Sequence, residues 1–365
     1  MNKASLLNRE FYRGKRVFLT GHTGFKGAWL TAALHVLGAE TAGYALPAAH
    51  GSLFEKIGGE ALLSHHIGDV RDKQALHDAI GMFQPEIVIH LAAMATVQEC
   101  YANPADAFHT NVLGTVNLMD ALRMHKCVRS IVVVTTDKVY ENRGDGACYR
   151  EEDRLGGDDP YAASKTCMEH VSRAYLRSYF MPEGHGTGVA TVRASNVLGG
   201  GDHVPSRLVP SILRAIHEQK PIELRNPHQT RPWQSVLDAL NGYLTIGRKL
   251  CENPGTYSDC WNIGPAPDGI REVEWVGRRM QMHFHSRIEL RTASEAAGVR
   301  ESETLGLDIT KSLSQLGWYP EMPCDEMLSQ VVAFYKGQLS GIGERELCCG
   351  QVRAFFGMTP HSDKE

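Results

Sequence analysis

Tyr161 and Lys165, four residues apart in Tyr161-Ala162-Ala163-Ser164-Lys165, carry the first chemical signal in the chain. On a helix this spacing puts both side chains on one face. An ammonium beside a phenol favours the phenolate and is expected to lower its pKa. A phenolate can take the proton of a sugar hydroxyl while a hydride leaves the same carbon. Tyr-x-x-x-Lys alone is a common surface pair, so a hydride acceptor must be sought elsewhere. Thr20-Gly21-His22-Thr23-Gly24-Phe25-Lys26-Gly27 points to one. Here Gly21 permits a tight turn, Gly24 lets a pyrophosphate approach the backbone, and Gly27 allows close helix–strand packing. The following helix offers its N-terminus to the anion. Asp69-Val70 is placed to reach an adenine, or else is a solvated turn. The third signal is Thr135-Thr136-Asp137-Lys138. Thr136 can hydrogen-bond a reacting oxygen, Asp137 can act as an acid, and Lys138 can act as a base if burial depresses its pKa. Without context, the same four residues read as a turn that ends a strand.

These groups need elements to hold them. The run 16–20 predicts a buried strand, and 28–37 a helix after the glycine turn. Further strands are predicted at 40–46, 86–91, 130–135 and 188–193, and helices at 73–82, 104–124 and 161–179. Strands alternating with helices imply βαβ units and a Rossmann-type, doubly wound parallel sheet, an α/β fold. After Arg193 the alternation fails, and Gly199-Gly200-Gly201-Asp202 opens a smaller mixed α/β C-terminal substrate lobe. The predicted division is a dinucleotide-binding domain at 1–193 and a nucleotide-sugar lobe at 194–365, with helix 234–250 packing back on the first. The cleft is expected between them, at the carboxyl ends of the strands. The end of the second strand, Gly43-Tyr44-Ala45, holds neither the acid usual for an NAD ribose nor an arginine for NADP, so that choice stays open locally.

Bulk properties exclude other classes. A net charge of −4 over 365 residues gives no field suited to nucleic acid or an anionic membrane. No apolar run is long enough to span a bilayer, and the N-terminal stretch is too polar for a signal peptide. Nine cysteines, with no C-x-x-C spacing, fit a reducing cytoplasm and suggest no metal site.

From about residue 11 to 335 the sequence resembles the CDP-glucose 4,6-dehydratase family, extended short-chain dehydrogenases that act on nucleotide sugars. The resemblance rests on GHTGFKGAWL, HLAA, NVLGT, TTDKVYEN, DDPYAASK, VRASNVLGGGD, LRNPHQTRPWQSVLDALNGYL, WNIGP and LGWYP, in that order. It implies tightly held NAD, contacted by Gly21, Thr23, Gly24, Phe25, Lys26, Gly27, Asp69, Val70, Leu91, Ala92, Ala93, Asn111, Thr135, Tyr161 and Lys165. It also implies a nucleotide-diphosphate hexose held by Met94, Thr136, Asn196, Arg207, Leu208, Arg225, Arg231 and Glu301. The implied reaction has three stages. Tyr161, aided by Thr136 and Lys165, oxidises C4. Lys138 removes the C5 proton while Asp137 protonates the departing C6 hydroxyl. Hydride then returns to C6, giving a 4-keto-6-deoxy sugar. Relatives commonly dimerise through helices near 104–124 and 161–179, so a homodimer or dimer of dimers is expected.

The departures from the family lie on the sugar side. Met94-Ala95-Thr96-Val97-Gln98 stands where the family reads Gln-Pro-Leu-Val-Arg. The stretch 203–211 has Ser206 and Ser211 in place of two aspartates, and Ser235 replaces a histidine. Either the pocket is altered or these positions have drifted in loops. Within the superfamily, a 4-epimerase or C4 oxidoreductase would keep Tyr161 and Lys165 without needing Asp137 and Lys138. A non-catalytic nucleotide-sugar binder would not need Thr136, Tyr161 and Lys165.

Overall fold

The computed structural model describes residues 3–181, 186–292 and 306–358. The main sheet is built from β1 (Arg16–Thr20), β2 (Glu40–Ala45), β3 (Ser64–Ile67), β4 (Ile87–His90), β5 (Ser130–Val134), β6 (Gly188–Ala194) and β7 (Cys260–Ile263). Their order is β7-β6-β5-β4-β1-β2-β3, with every neighbouring pair parallel. A parallel sheet needs crossovers on its faces, and its inner strands are therefore buried on both sides. Val17, Ile87, Ile89 and Val132 accordingly lie in the core on one face, and Phe18, Val88, Ile131 and Val133 on the other. The strand order reverses between β1 and β4, which opens a crevice at their carboxyl ends.

The smaller lobe holds a three-stranded sheet. In it Thr230–Ser235 pairs parallel with Asn196–Leu198 and antiparallel with Ile270–Glu272. Helices Leu208–His217, Val273–Phe284 and Cys324–Leu339 close it around Val209, Ile212, Trp233, Val276 and Leu328. The two lobes are sewn together at the triple-glycine loop. Trp29 Nε1 donates to the Gly200 carbonyl at 2.9 Å, and a Cβ on Gly200 would lie 2.1 Å from the Phe334 ring. Trp29, Trp261 and Trp318 are all fully buried. Each such ring hides on the order of 200 Å2 of surface, roughly 5 kcal/mol of transfer free energy.

The chain crosses the expected division at 193/194 repeatedly. Strand β7 completes the main sheet beside β6. Helix Val236–Glu252 lies against β4, β5 and β6, as expected for 234–250, and helix Glu344–Phe355 also returns, packing on Phe25–Val36. Cys260-Trp261-Asn262-Ile263 is too short and mixed to announce a core strand. Strand β3, also absent from the sequence reading, is an edge strand. Its Ser64-His65-His66-Ile67 is partly exposed and carries no apolar run.

Candidate active site

The glycine turn joins β1 to helix Phe25–Val36. Gly21 sits at φ +73°, and a Cβ there would lie 2.6 Å from the backbone nitrogen of Ala92. A Cβ on Gly27 would meet the Gly21 carbonyl at 2.3 Å. Both positions are closed to side chains by the protein itself. Gly24 differs, since a Cβ there would meet nothing nearer than 3.5 Å. No side chain caps the helix N-terminus at Gly24. Bare first-turn N–H groups above an exposed glycine form a cradle for a phosphate anion. His22, buried beneath the loop, occupies the space of a Cβ on Gly43 and meets His65 at 2.7 Å. Burial pulls its pKa down to about 3, so it packs as a neutral ring.

Thr136 ends β5 and caps the turn Asp137–Val139, its Oγ1 accepting from the Lys138 backbone N–H at 3.4 Å. The same hydroxyl donates to Asp137 Oδ1 at 3.0 Å. Asp137 is 3% exposed, and its Oδ2 has no hydrogen-bond partner among the described residues. Burial raises its pKa against the pull of Lys138, Thr136 and Arg231, which biases the group toward a proton-carrying acid. Lys138 stands half-buried on the cleft wall beside it.

Helix Pro160–Tyr175 begins with Pro160 in its first turn, and Asp159 accepts from the Ala162 N–H at 2.9 Å. It presents Tyr161 to the cleft, where the Thr136 hydroxyl serves the phenol. The expected drop in the Tyr161 pKa is not found. Burial pushes the phenol well above its ordinary value. Lys165 is buried behind the wall and donates to the Val134 carbonyl at 3.0 Å. Burial, then the charge of Lys26, lowers its pKa to about 7, so the ligand-free protein does not hold a fixed cation at the phenol. Lys26, also lowered to about 8 by burial and then Arg207, reaches the Tyr243 hydroxyl at 3.4 Å.

A cleft of about 2780 Å3 runs from the glycine loop into the smaller lobe. Drug-sized ligands occupy pockets several times smaller, so this one has room for a dinucleotide and a second nucleotide together. It brings together Gly21, Thr23, Gly24, Phe25, Lys26, Gly27, Asp69, Val70, Leu91, Ala92, Ala93, Thr136, Asp137, Lys138 and Tyr161. Asn196, Arg207, Leu208, Arg225 and Arg231 line its far side. Arg207 Nη1 meets both Asp202 oxygens at 3.2 and 3.0 Å. Four predicted residues stand behind the wall: Met94, Asn111, Thr135 and Lys165. Asn111 accepts from the Met94 N–H at 2.8 Å and donates to Ser164 Oγ at 2.8 Å, on a π-helical turn at His109–Leu113. It thus couples the loop after β4 to the helix of Tyr161. Glu301 lies outside the described residues.

Of the departing positions, 95–98, Ser206 and Ser211 face the cleft. Ser235 does not. Its Oγ accepts from the Leu237 N–H at 3.2 Å and caps the helix that follows. Sequence reasoning also missed His90 on β4. His90 Nδ1 meets Thr20 Oγ1 at 2.6 Å and Nε2 meets Thr115 Oγ1 at 3.1 Å, which ties β1 to the Asn111 segment. Only the HLAA block hinted at it. Among the described residues no helix is long and apolar enough to cross a membrane.

Residues 17–264 match the NAD dependent epimerase/dehydratase family. The chain is 40% identical over 350 residues to CDP-glucose 4,6-dehydratase of Salmonella typhimurium, covering 95% of this chain and 97% of that one. It is 26% identical over 340 residues to a probable dTDP-glucose 4,6-dehydratase of Sinorhizobium fredii, covering 88% and 92%. Its fold is similar to that of dTDP-glucose 4,6-dehydratase from Bacillus anthracis, solved in complex with NAD (TM-score 0.74, 20% identity, 90% and 98% covered). It is equally similar to Thermus thermophilus UDP-glucose 4-epimerase, also solved with NAD (TM-score 0.74, 23% identity, 88% and 99% covered).

Proposed function

This chain belongs to the NAD dependent epimerase/dehydratase family, and on that premise we propose that it is a nucleotide-sugar 4,6-dehydratase acting on CDP-glucose. One observation carries this reading above an epimerase. At the strand end facing Tyr161, a buried acid, Asp137, with one oxygen unpartnered among the described residues, stands beside a half-buried amine, Lys138. Exchange at C4 alone needs neither group, whereas loss of water across C5 and C6 needs one to give a proton and one to take it.

The residues present fit NAD. The bare helix N-terminus at Gly24 suits the pyrophosphate, and Asp69 and Val70 flank the adenine end of the cleft. When bound, the cofactor supplies a reversible hydride acceptor and a positively charged ring that pulls down the Tyr161 phenol. Tyr161 then takes the C4 hydroxyl proton while Thr136 holds that oxygen. A ketone at C4 acidifies the C5 proton, which passes to Lys138. Asp137 gives its proton to the C6 hydroxyl, which leaves as water. The hydride taken from C4 returns to C6 and Lys138 gives a proton back to C5, so that the product is a 4-keto-6-deoxy sugar. Asn196, Arg207, Arg225 and Arg231 bind the diphosphate side of the substrate. CDP is favoured over other nucleotides by the 40% identity to the Salmonella enzyme against 26% to the dTDP-glucose relative.

A panel of NDP-hexoses read by mass spectrometry tests the proposal. CDP-glucose is expected to lose one water with no stoichiometric consumption of added cofactor. A product inverted at C4 with unchanged mass sinks the dehydratase reading.

We also propose a homodimer built on the helices at 104–122 and 160–180. Phe108, Leu113 and Tyr179 on these helices are exposed apolar residues. Light scattering on the eluting protein is expected to give twice the chain mass, and Leu113→Glu is expected to halve it. Nine cysteines with no C-x-x-C spacing support a cytoplasmic setting.

A further inference from the structure

We infer that Glu169, clamped by Arg193, is a positioning residue that holds the Thr135–Lys138 turn against the helix of Tyr161 and presents its negative charge to Lys165. This rests on the reading of Tyr161 and Lys165 as the hydride-transfer centre.

Glu169 lies four residues past Lys165, one turn along the same helical face. It is 6% exposed and Arg193 is 3% exposed. Both of its oxygens are saturated. Oε1 accepts from Thr135 Oγ1 at 2.6 Å and from Arg193 Nε at 3.2 Å. Oε2 accepts from Thr191 Oγ1 at 2.6 Å and from Arg193 Nη2 at 3.1 Å. Arg193 is held in turn, its Nη1 donating to the Tyr140 hydroxyl at 2.8 Å and to the Glu151 carbonyl at 3.0 Å. The Tyr140 hydroxyl donates to Asn262 Oδ1 at 2.6 Å. One carboxylate therefore gathers β5, β6 and the catalytic helix, with β7 linked through Arg193 and Tyr140. Because Lys165 bonds Val134 and Glu169 bonds Thr135, the last residue of β5 and the first of the turn are tied to successive turns of one helix.

Geometry alone does not require a charge here, since well-packed apolar residues often replace a buried ion pair at no loss of stability. The surroundings of Lys165 explain the charge. Lys26 faces it from the glycine-loop helix and repels its proton. Cys100, from helix Val97–Ala102, is held as a neutral thiol by burial, which pushes it up to about 11. His90 on β4 is held neutral by burial, at about 3. With Cys100 neutral, Glu169 supplies the negative charge that favours the Lys165 proton against burial and Lys26, and Arg193 limits how strongly it does so.

The two ends of the pair should then move Lys165 in opposite directions. In pH–rate profiles of CDP-glucose dehydration by the holoenzyme, activity falls at high pH as Lys165 loses its proton. Glu169→Gln is expected to move that limb down by about one pH unit. Arg193→Met is expected to move it up by a similar amount, and the double variant to return it close to wild type. Glu169→Asp keeps the charge but withdraws from Thr135 and Thr191. It should leave the limb in place and lower kcat roughly ten- to a hundredfold with little change in KM. This variant decides the positioning role should Glu169→Gln or Arg193→Met fail to fold.

The same shifts are read without turnover by reductive 13C-methylation and NMR titration of Lys165, its resonance assigned by its loss in Lys165→Arg. Parallel shifts in the two single variants, or an unmoved limb with only a lower melting temperature, overturn the inference. A wild-type protein that dehydrates no NDP-hexose defeats the dehydratase reading instead, and the NMR titration then decides the role of Glu169 alone.

Discussion

Replacing Tyr161 with Phe is expected to lower kcat for dehydration about a thousandfold while leaving KM nearly unchanged. The phenol faces the cleft, with the Thr136 hydroxyl serving it. The ring itself stays in Tyr161→Phe, so packing survives and only the proton-transferring oxygen is lost. Thr136 keeps its bond to Asp137 and its cap on the turn, both of which are independent of Tyr161. On the proposed reading, substrate is held by Asn196, Arg207 and Arg231 on the far side of the cleft, so its affinity should persist. The measurement is a steady-state profile across pH, with product formation quantified by mass spectrometry. A loss of less than tenfold would assign the C4 proton to another group lining the cleft, such as Thr136 or Lys138. Burial raises the Tyr161 phenol and holds Lys165 near 7 in the ligand-free protein. With the bound cofactor pulling the phenol down below Lys165, the wild-type holoenzyme profile should rise as the phenol is ionised and fall as Lys165 loses its proton.

Lys138→Met divides the reaction at its second stage. This variant is expected to cut product formation about a thousandfold while C4 oxidation survives. The side chain is similar in length and lacks the amine, and Lys138 contributes to the turn through its backbone N–H, which methionine retains. On mixing with CDP-glucose the near-ultraviolet absorbance of reduced nicotinamide should rise and persist. Wild-type enzyme should incorporate solvent deuterium at C5, and the variant should not. Continued C5 exchange in Lys138→Met would place the base elsewhere and remove Lys138 from the mechanism. Asp137→Asn provides the complementary case. There the C5 exchange should continue while loss of the C6 oxygen stops, because the buried acid and not the base has been removed.

The sheet and the chemical groups were readable from the chain for local reasons. Three glycines between an apolar run and a helical run specify a turn whose backbone must be bare, and the structure shows which steric collisions enforce it at Gly21 and Gly27. Alternating apolar and helical segments are enough to imply parallel strands. Tyr161 and Lys165 fall on one helical face through spacing alone. Strands β3 and β7 were not readable. One is an exposed edge, and the other is four residues whose only strong signal is burial beside β6. The return of β7 and of helix Glu344–Phe355 to the first lobe was unreadable for the same reason, since which segment comes back to complete a layer depends on long-range pairing.

Tyr161 and Lys165 are placed by local sequence, but tertiary structure decides their charge. Spacing predicts a cation beside a phenol. Folding buries both, and desolvation is the largest influence on each, so the phenol rises and the ammonium falls. Spacing likewise places Glu169 one turn beyond Lys165 without hinting that Arg193, from a distant strand, would clamp it. Residue types and intervals are properties of the chain, and they determined the cofactor loop, the catalytic pair and the acid–amine turn. Burial, and the charges that burial brings together, belong to the fold, and only the fold settled which of those groups hold their protons.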